Sequence, residues 1–193
     1  MTRAAGLLLT GGSSRRLGVD KATLLVDGER LVDRVARALT DVVAPVLEVG
    51  PGHSSFPAVR EQPPGAGPLA ALVAGADALL VDGAPTPVVV LAVDLPFVDA
   101  RFVDWLAMHR APESVVPVVD GMPQPLCARY SVDALGAARD LEQAGERSMR
   151  ALLAAVAVHE ADEDEWRAVA TARTFHDVDT RDDLDALGLS SPG

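Results

Sequence analysis

The sequence predicts an α/β protein, a three-layer sandwich in which helices cover both faces of a mostly parallel central sheet. Short apolar runs alternate with amphipathic helical segments along most of the chain, which is the pattern of strand–helix–strand units. The run over 88–93 is apolar throughout, so a strand there must be covered on both faces. Clusters of glycine and proline follow several of the apolar runs and end them as turns.

In the first half of the chain, apolar periodicity indicates three strands and two helices. The first strand stops at Thr10-Gly11-Gly12, and Pro68 suits the first turn of the second helix. The strands are predicted over 6–9, 45–49 and 88–93, and the helices over 31–39 and 69–80.

The second half continues the alternation. Asp99 is suited to cap a helix that ends near His109. Pro117 indicates an edge strand or a bulge, because proline cannot donate to a strand ladder. The further strands are predicted over 115–119, 126–130, near Val158 and over 174–178, and the further helices over 132–141, 147–156 and 181–187.

Composition restricts the class of protein. The chain has 193 residues, 49% of them hydrophobic, which is enough for one domain, 1–193, with a buried core. The net charge of −11 argues against non-specific binding to nucleic acid, which needs a basic face. We find no apolar run of about eighteen residues and no signal peptide, so no membrane contact is expected. The single cysteine, Cys127, fits the reducing cytoplasm.

The first strand leads into a glycine-rich loop that ends at Lys21. Its glycines allow backbone N–H groups to approach phosphate oxygens, and Arg15, Arg16 and Lys21 add three cations within seven residues. Lys21 is also the only lysine of the chain. The spacing matches neither the P-loop nor the dinucleotide-binding pattern, so both classes are disfavoured. The loop predicts a triphosphate site of another kind; the alternative is a tight turn with solvated arginines.

Gly11, Gly50 and Asp94 follow predicted strand ends, and Glu61 does so if Val59 ends a further strand. In a parallel sheet the carboxyl ends of the strands form the ligand crevice, so we expect these residues to share one site. Asp94 ends the most apolar strand and is the candidate metal ligand, because Mg²⁺ is held by one or two carboxylates together with phosphates. The alternative is that Asp94 caps the turn before Leu95-Pro96.

Other polar and aromatic residues are predicted to have structural roles. The acidic stretch over 160–165 reads as a solvated surface, Cys127 as a small buried residue and Trp105 as packing. The four histidines are scattered along the chain without metal-binding spacing: His53, His109, His159 and His176.

The loop from Leu9 to Lys21 resembles the signature of the molybdenum cofactor guanylyltransferases. It keeps the glycines, the serine, the arginine and the Asp-Lys ending of that signature, with Thr10 in place of alanine and Leu17 in place of methionine. Further similar segments follow in the family's order and extend the resemblance over almost the whole chain: Gly67-Pro68-Leu69-Ala70, Asp94-Leu95-Pro96-Phe97, Gly145-Glu146-Arg147 and Val178-Asp179-Thr180 with Asp183-Leu184.

The resemblance implies a Rossmann-like nucleotidyltransferase (GT-A-like) fold and a reaction. GMP would pass from GTP to the phosphate of molybdenum-carrying molybdopterin, and pyrophosphate would leave. Catalysis is expected from Lys21, Arg16 and Asp94, with Mg²⁺ on Asp94 and Asp179. Nucleotide contacts are expected from Leu9, Thr10, Gly11, Gly12, Ser13, Lys21, Gly50, Glu61, Gly67, Pro68 and Asp94.

Several of these roles have alternatives. Asp179 stands where many relatives have asparagine, and in a chain without asparagine this aspartate could equally reflect composition alone. Glu61 stands where the family has an aspartate that contacts the base, and a solvated loop acid is the other interpretation. Gln124, Arg129 and the segment 145–147 are expected on the acceptor side. The resemblance further implies a monomer that meets molybdenum-insertion or molybdoenzyme chaperone proteins.

Three other functions stay open. A cytidylyltransferase of molybdopterin or of another phosphorylated acceptor is disfavoured by the second glycine, Gly12, and by the Asp20-Lys21 pair. A binding subunit without catalysis is disfavoured by the presence of Lys21 and Asp94. A sugar-nucleotide enzyme is disfavoured because the chain is short.

Overall fold

The computed structural model describes residues 4–11, 21–80, 86–178 and residue 183. Within these ranges, strands and helices alternate as the sequence predicts. The strands are β1 (Ala5–Leu9), β2 (Leu25–Val26), β3 (Glu29–Arg30), β4 (Val46–Val49), β5 (Ala58–Val59), β6 (Val88–Ala92), β7 (Ser114–Val119), β8 (Met122–Pro123), β9 (Cys127–Tyr130) and β10 (Val158–Ala161). The helices are α1 (Leu31–Leu39), α2 (Pro68–Leu80), α3 (Ala100–Met108), α4 (Val132–Gln143), α5 (Met149–Ala155) and α6 (Glu163–Trp166), with 3₁₀ turns at Lys21–Thr23 and Ala172–Phe175.

One mostly parallel sheet forms the centre of the molecule. Its strand order is β10-β7-β9-β6-β1-β4-β5, and β8 pairs with the end of β7. The pairs β1–β4, β1–β6, β4–β5 and β7–β10 are parallel, and β9 runs antiparallel to β6 and β7. The predicted α/β sandwich with a mostly parallel sheet is therefore confirmed.

Helices cover both faces of the sheet, as the apolar run of β6 predicts. Leu7 of β1 packs in a core cluster with residues of α2, α4 and α5. Its neighbour Leu8 points to the other face and packs with residues of α1, α3 and α6. This alternation is the period of two that a strand imposes, and it places two apolar cores around one sheet.

A small hairpin was not predicted from the sequence. It consists of β2 and β3, joined by Asp27 and Gly28 with φ angles of 52° and 81°. Two central residues with positive φ are typical of the tight turn that matches strand twist, and Asp-Gly is a preferred pair for it. The signal was thus present in the sequence, although each strand has only two residues.

The strand with Pro117 lies inside the sheet, so the expected edge position is wrong. β7 has β10 on one side, and on the other side its partner changes from β9 at Val115 to β8 at Val118. Pro117 lies between these two pairings, where its carbonyl accepts a hydrogen bond from the Gln124 N–H. A change of strand partner therefore accommodates the missing N–H of proline.

The strand predicted over 174–178 is also wrong. A 3₁₀ turn occupies Ala172–Phe175, where Thr171 and Thr174 exchange side-chain and backbone hydrogen bonds at the start of the turn. Such local bonds compete with a strand ladder. Phe175 is held against Phe102 and Trp166 by edge-to-face ring contacts. The predicted helix over 181–187 lies outside the described residues, apart from residue 183, which is helical.

In the ranges that the structure describes, no helix has the length and apolar character needed to cross a membrane.

Candidate active site

A cavity of about 530 Å³ lies at the carboxyl ends of β1 and β6. Its size is within the range of about 300–1,000 Å³ that is usual for small-molecule sites. Turns after the strands form one wall, and the N-terminal turn of α2 with the loop before it forms another. The residues that line it are Leu9, Thr10, Gly11, Lys21, Glu61, Pro64, Gly65, Gly67, Pro68, Ala71, Ala92, Val93, Asp94 and Leu126.

Lys21 and Asp94 meet in this cavity, 73 residues apart in the chain. The ammonium of Lys21 lies 3.2 Å from Oδ2 of Asp94. Their side chains are only 17% and 25% exposed, so both charges are largely shielded from solvent. Asp94 follows the end of β6 by two residues, and its carbonyl accepts a hydrogen bond from the Val178 N–H at 2.9 Å. The end of the chain's most apolar strand thus fixes the carboxylate.

The expected phosphate contacts from the first loop amides are corrected by the structure. The N–H groups of Thr10 and Gly11 both point to the carbonyl oxygen of Val49, at 3.0 and 3.3 Å. These two amides extend the pairing of β1 with β4, so they are not free to bind phosphate. Thr10 and Gly11 still line the cavity. The other loop residues of the prediction, Gly12, Ser13 and Arg16, lie outside the described residues.

Gly50 is not among the residues that line the cavity, and its nucleotide contact stays a prediction. A Cβ on Gly50 would stand 2.0 Å from Oγ1 of Thr10 and 2.9 Å from the Gly11 nitrogen. Only glycine permits this close approach of the turn after β4 to the turn after β1. Gly50 is therefore a packing residue that shapes the wall from behind.

Glu61 lies in the cavity wall and is only 7% exposed, which excludes a solvated loop acid. Its Oε1 accepts a hydrogen bond from the Gly65 N–H at 2.8 Å. Both carboxylate oxygens lie within 3.9 Å of the point where a Cβ on Gly11 would stand. The hydrogen bond closes the loop over 61–65, and the carboxylate lies beside the end of β1, where its oxygens can accept further hydrogen bonds from a ligand.

Glu48 was missed by the sequence reasoning, although it supports the same wall. It is fully buried and accepts hydrogen bonds from Oγ1 of Thr10 at 2.5 Å and from the Gly52, His53 and Ser54 N–H groups at 2.6–2.9 Å. Burial raises the pKa of Glu48, but the hydrogen bonds from Thr10, Ser54 and His53 outweigh it and lower the pKa to about 2. An acid inside an otherwise apolar strand was the available signal.

The N-terminus of α2 faces the cavity through Gly67, Pro68 and Ala71. A helix N-terminus carries partial positive charge and suits an anionic ligand. Gly67 has a φ of +105°, and a Cβ there would lie 3.4 Å from the Arg147 carbonyl. The predicted Gly-Glu-Arg segment therefore reaches this side of the cavity through its backbone.

The rest of the wall was not predicted as site residues and is mostly apolar. Pro64 and Gly65 lie in the loop that the sequence marks before Pro68, and Ala71 follows Pro68 by one helical turn. Their positions next to Pro68 in the sequence could have identified these three residues as site residues. The remaining unpredicted lining residues are Ala92, Val93 and Leu126.

The structure also gives the positions of Arg129, Gln124 and the histidines. Arg129 is only 6% exposed and does not line the cavity; its guanidinium donates to the carbonyl oxygens of His109, Ala111 and Glu113. Gln124 does not line the cavity either. The histidines are not all scattered, because the rings of His109 and His159 lie 4.8 Å apart between centroids.

Among the remaining predictions, Cys127 is buried, as expected. Burial, with the charge of Asp94 in second place, raises the pKa of its thiol. Asp179, the predicted second metal ligand, lies outside the described residues.

An α/β sheet with a lysine–aspartate pair and a helix N-terminus at one nucleotide-sized cavity fits the class of nucleotidyltransferases. The comparison of sequences agrees with this class. The chain belongs to the family of the MobA-like NTP transferase domain, whose model matches residues 6–163.

Relatives with high similarity carry one functional name. A protein of Opitutus terrae named "probable molybdenum cofactor guanylyltransferase" is 38% identical over 158 residues, which are 78% of this chain and 77% of that protein. A protein of Mycobacterium tuberculosis with the same name is 37% identical over 159 residues, or 77% of this chain and 78% of that protein.

Solved structures show the same fold. The molybdopterin-guanine dinucleotide biosynthesis protein A of Archaeoglobus fulgidus superposes with a TM-score of 0.78 at 22% identity, covering 94% of this chain and 95% of its own. The 2-C-methyl-D-erythritol 4-phosphate cytidylyltransferase of Thermus thermophilus gives a TM-score of 0.63 at 19% identity, covering 94% and 97%.

Proposed function

We propose that the protein is a molybdenum cofactor guanylyltransferase, which transfers GMP from GTP to the phosphate of molybdenum-carrying molybdopterin. The observation that carries the proposal is the Lys21–Asp94 pair inside a cavity of about 530 Å³. The names of the relatives supply the acceptor. The structural similarity to the cytidylyltransferase concerns the fold alone, so it does not favour cytosine over guanine as the base.

The reaction needs no general base. A phosphate monoester has a second pKa of about 6, so the acceptor is mostly a dianion at neutral pH. One of its oxygens attacks the α-phosphorus of GTP, the bond from the α-phosphorus to the α–β bridging oxygen breaks, and pyrophosphate leaves with that electron pair. Among the described residues, the cavity wall carries Lys21, Glu61 and Asp94 but no histidine or cysteine, which agrees with a mechanism of positioning and charge neutralisation.

Two features of the wall neutralise phosphate charge. The Lys21 ammonium and the positive end of α2 face the same space, where negative charge builds up on the leaving pyrophosphate. Arg16 is proposed as a further cation of this group. When GTP binds, its phosphates compete with Asp94 for Lys21, so the existing ion pair keeps the ammonium in position before the substrate arrives.

The donor chemistry fits Mg²⁺, since Asp94 offers carboxylate oxygens at the edge of the cavity, and Mg²⁺ is held by one or two carboxylates plus phosphates and water. Asp179 is proposed as the second ligand. Bound there, Mg²⁺ would neutralise phosphate charge. Asp94 itself holds Lys21 beside the phosphate path, whichever cation it also binds.

Glu61 is proposed to select guanine. Its carboxylate oxygens are acceptors, and guanine presents N1–H and N2–H as neighbouring donors, whereas cytosine presents only its N4 amino group. The hydrogen bond from the Gly65 N–H fixes the carboxylate from the loop side. Because each oxygen has two lone pairs, this bond leaves room for a base contact.

Pyrophosphate release with molybdopterin as acceptor tests the function. With Mg²⁺ present, we expect release from GTP to exceed release from CTP by at least about tenfold, the factor that corresponds to roughly 1.4 kcal/mol. The variant Glu61→Gln should narrow this preference, since one acceptor oxygen becomes a donor. Faster release from CTP than from GTP would replace the proposal by the cytidylyltransferase. If no pyrophosphate is released from either nucleotide, the protein would instead be a binding subunit without catalytic activity.

We further propose that the chain works as one domain and as a monomer in the cytoplasm. Molybdenum-insertion proteins would supply the acceptor, and molybdoenzyme chaperones would receive the product. Co-elution of the purified protein with such a chaperone, and its mass in solution, test these points.

A further inference from the structure

A second cluster of polar side chains lies on the helical face formed by α3 and α6. Nε2 of His159 lies 2.8 Å from Oε2 of Glu165, and Nε2 of His109 lies 3.5 Å from the same oxygen. Each residue comes from a different element: His109 ends α3, His159 lies in β10 and Glu165 in α6. None of the three lines the active-site cavity, so the cluster is separate from the proposed nucleotide site.

The sheet register explains why residues so distant in sequence meet here. His159 pairs with Val115 in β7, and Val115 pairs with Arg129 in β9. This row of the sheet faces the same side as α3, whose last turn brings His109 next to His159. The capping box of α6 orients Glu165, since its Oε1 also faces the Asp162 N–H.

We propose that His109, His159 and Glu165 bind one divalent transition-metal ion, with Zn²⁺ as the expected ion. Two imidazoles and one carboxylate are a donor set that Zn²⁺ uses, with bonds of about 2.0–2.2 Å. The three donor atoms already lie within 4.8 Å of one another. Tetrahedral coordination needs donor pairs roughly 3.3–3.5 Å apart, so side-chain shifts of about 1 Å complete it.

The charges around the cluster favour a cation. Five of the six residues over 160–165 are acidic. This acidic stretch begins directly after His159 and ends at the proposed ligand Glu165. Three arginines lie near His109. Arg101 and Arg110 line the same surface cavity as His109, and the guanidinium of Arg129 is turned toward three main-chain carbonyls.

One contact opposes binding and limits its strength. The Ala111 N–H donates to Nδ1 of His109 at 3.2 Å, so the neutral ring carries its proton on Nε2, toward Glu165. A metal ion on Nε2 moves that proton to Nδ1 and removes the acceptor of the Ala111 N–H. Because two N–H donors then face each other, this change weakens binding by roughly 5- to 150-fold, which is still less than three metal–ligand bonds contribute.

The remaining coordination position is open to water. The side chains of His159 and Glu165 are each 36% exposed, and that of His109 is 15% exposed, so the ion enters from solvent. Once bound, it would join the end of α3 to β10 and α6. The expected role is therefore a structural link outside the proposed nucleotide site.

Titration of the whole protein with Zn²⁺, in excess Mg²⁺ to occupy the nucleotide site, tests the proposal by calorimetry. We expect one equivalent to bind, and Co²⁺ in its place to give the visible bands of a tetrahedral centre. His159→Gln and Glu165→Gln should each weaken binding at least about tenfold, because each removes one of three ligands. Both positions are partly exposed, and circular dichroism checks that the variants fold.

Two control variants separate this site from other cation binding. Glu163→Gln removes a neighbouring carboxylate of α6 but none of the three donors, and Asp94→Asn alters the nucleotide site. Both should keep the wild-type Zn²⁺ affinity within about twofold. Equal weakening in Glu163→Gln and Glu165→Gln would show diffuse attraction to acidic residues and overturn the site. Loss of binding in Asp94→Asn, or wild-type binding in both ligand variants, would overturn it as well.

Discussion

Lys21 and Asp94 show at the scale of single residues how one ion pair connects the two ends of the predicted site. The pair is mostly shielded from water, at 17% and 25% side-chain exposure, so the attraction between the charges is stronger than at an open surface. The proposed role of Lys21, the only lysine of the chain, would use a compact ammonium on a flexible stem that can shift from the carboxylate to a phosphate, and a planar guanidinium is not its equivalent.

Replacing Lys21 by methionine keeps the length of the side chain and removes its charge. We expect turnover with GTP to fall by about 10²–10³, the usual effect of removing one electrostatic stabiliser of a transition state. Lys21→Arg keeps the positive charge but changes the shape of the side chain, so its turnover should lie between that of the wild type and that of Lys21→Met. Steady-state kinetics measures the effect, and a fall of less than about threefold in Lys21→Met would contradict the role of the ammonium.

Glu48 allows a prediction about stability and pH. Its pKa in the folded protein is about 2, against an ordinary value of 4.5. A carboxylate with a depressed pKa stabilises the folded state fully above the ordinary value, and this stabilisation is lost as the pH falls toward the folded value. Glu48→Gln should therefore cost about 3 kcal/mol at pH 7 and roughly half of that near pH 3.

Urea unfolding of the wild type and Glu48→Gln at both pH values measures this difference. The control is Glu160→Gln, an exposed strand acid in β10, which should change the free energy of unfolding by less than about 0.5 kcal/mol. If Glu48→Gln lowers the free energy of unfolding equally at both pH values, the charge of Glu48 is not the cause of the destabilisation.

At the scale of the elements, sequence periodicity was most reliable where one segment has one apolar face. Helix α1 has the predicted bounds of 31–39, and Asp99 caps α3 as expected by accepting from the Phe102 N–H at 3.0 Å. The strand prediction over 174–178 was wrong because the local hydrogen bonds of Thr171 and the aromatic contacts of Phe175 outweigh strand propensity. Both of those influences depend on neighbours that the local pattern does not contain.

The packing of α2 on the sheet gives a prediction for a pair of glycines. A Cβ on Gly75 would lie 2.7 Å from both methyl groups of Leu7 and 2.8 Å from Val49, whereas a Cβ on Gly136 of α4 meets nothing within 4 Å. Gly75→Ala should destabilise by about 1–3 kcal/mol through overpacking. Gly136→Ala should stabilise by up to about 1 kcal/mol, because alanine is the better helix former.

Thermal or urea unfolding of the two glycine variants compares them directly. Since both substitutions are made inside helices, the gain in helix propensity is shared, and the difference in sign reports packing alone. Stabilisation by Gly75→Ala would show that α2 does not approach β1 as closely as the structure places it.

For the whole molecule, the active-site cavity couples nucleotide binding to unfolding. A ligand at one hundred times its Kd stabilises the folded state by about 2.7 kcal/mol. For a chain of 193 residues this raises Tm by roughly 5–10 °C. With Mg²⁺, we expect GTP to give the largest shift among the four common nucleoside triphosphates.

The comparison with Asp94→Asn completes that experiment. If Asp94 helps to hold Mg²⁺ at the phosphates, the GTP-induced shift in this variant should depend less on Mg²⁺ than in the wild type. Equal shifts for GTP, CTP, ATP and UTP would argue against a base-selective site at Glu61.

The sequence by itself determined the class of fold and the position of the site. Alternating apolar runs and the fully apolar strand β6 are local properties, and they are sufficient to predict a covered parallel sheet. The rule that ligands bind at the carboxyl ends of such strands predicted one crevice for Gly11, Gly50, Glu61 and Asp94, and all of these except Gly50 line the cavity. These steps succeed because each needs only the chemistry of neighbouring residues and the direction of the strands.

Only the tertiary structure decided which polar groups are free to act. The Thr10 and Gly11 amides are used by Val49, the Glu48 carboxylate is buried under the Thr10 hydroxyl, and Gly50 serves packing. The meeting of His109, His159 and Glu165 was likewise invisible in the sequence. The physical reason is the same in each case: these contacts join residues from different strands and helices, and they depend on the register and distance at which those elements pack.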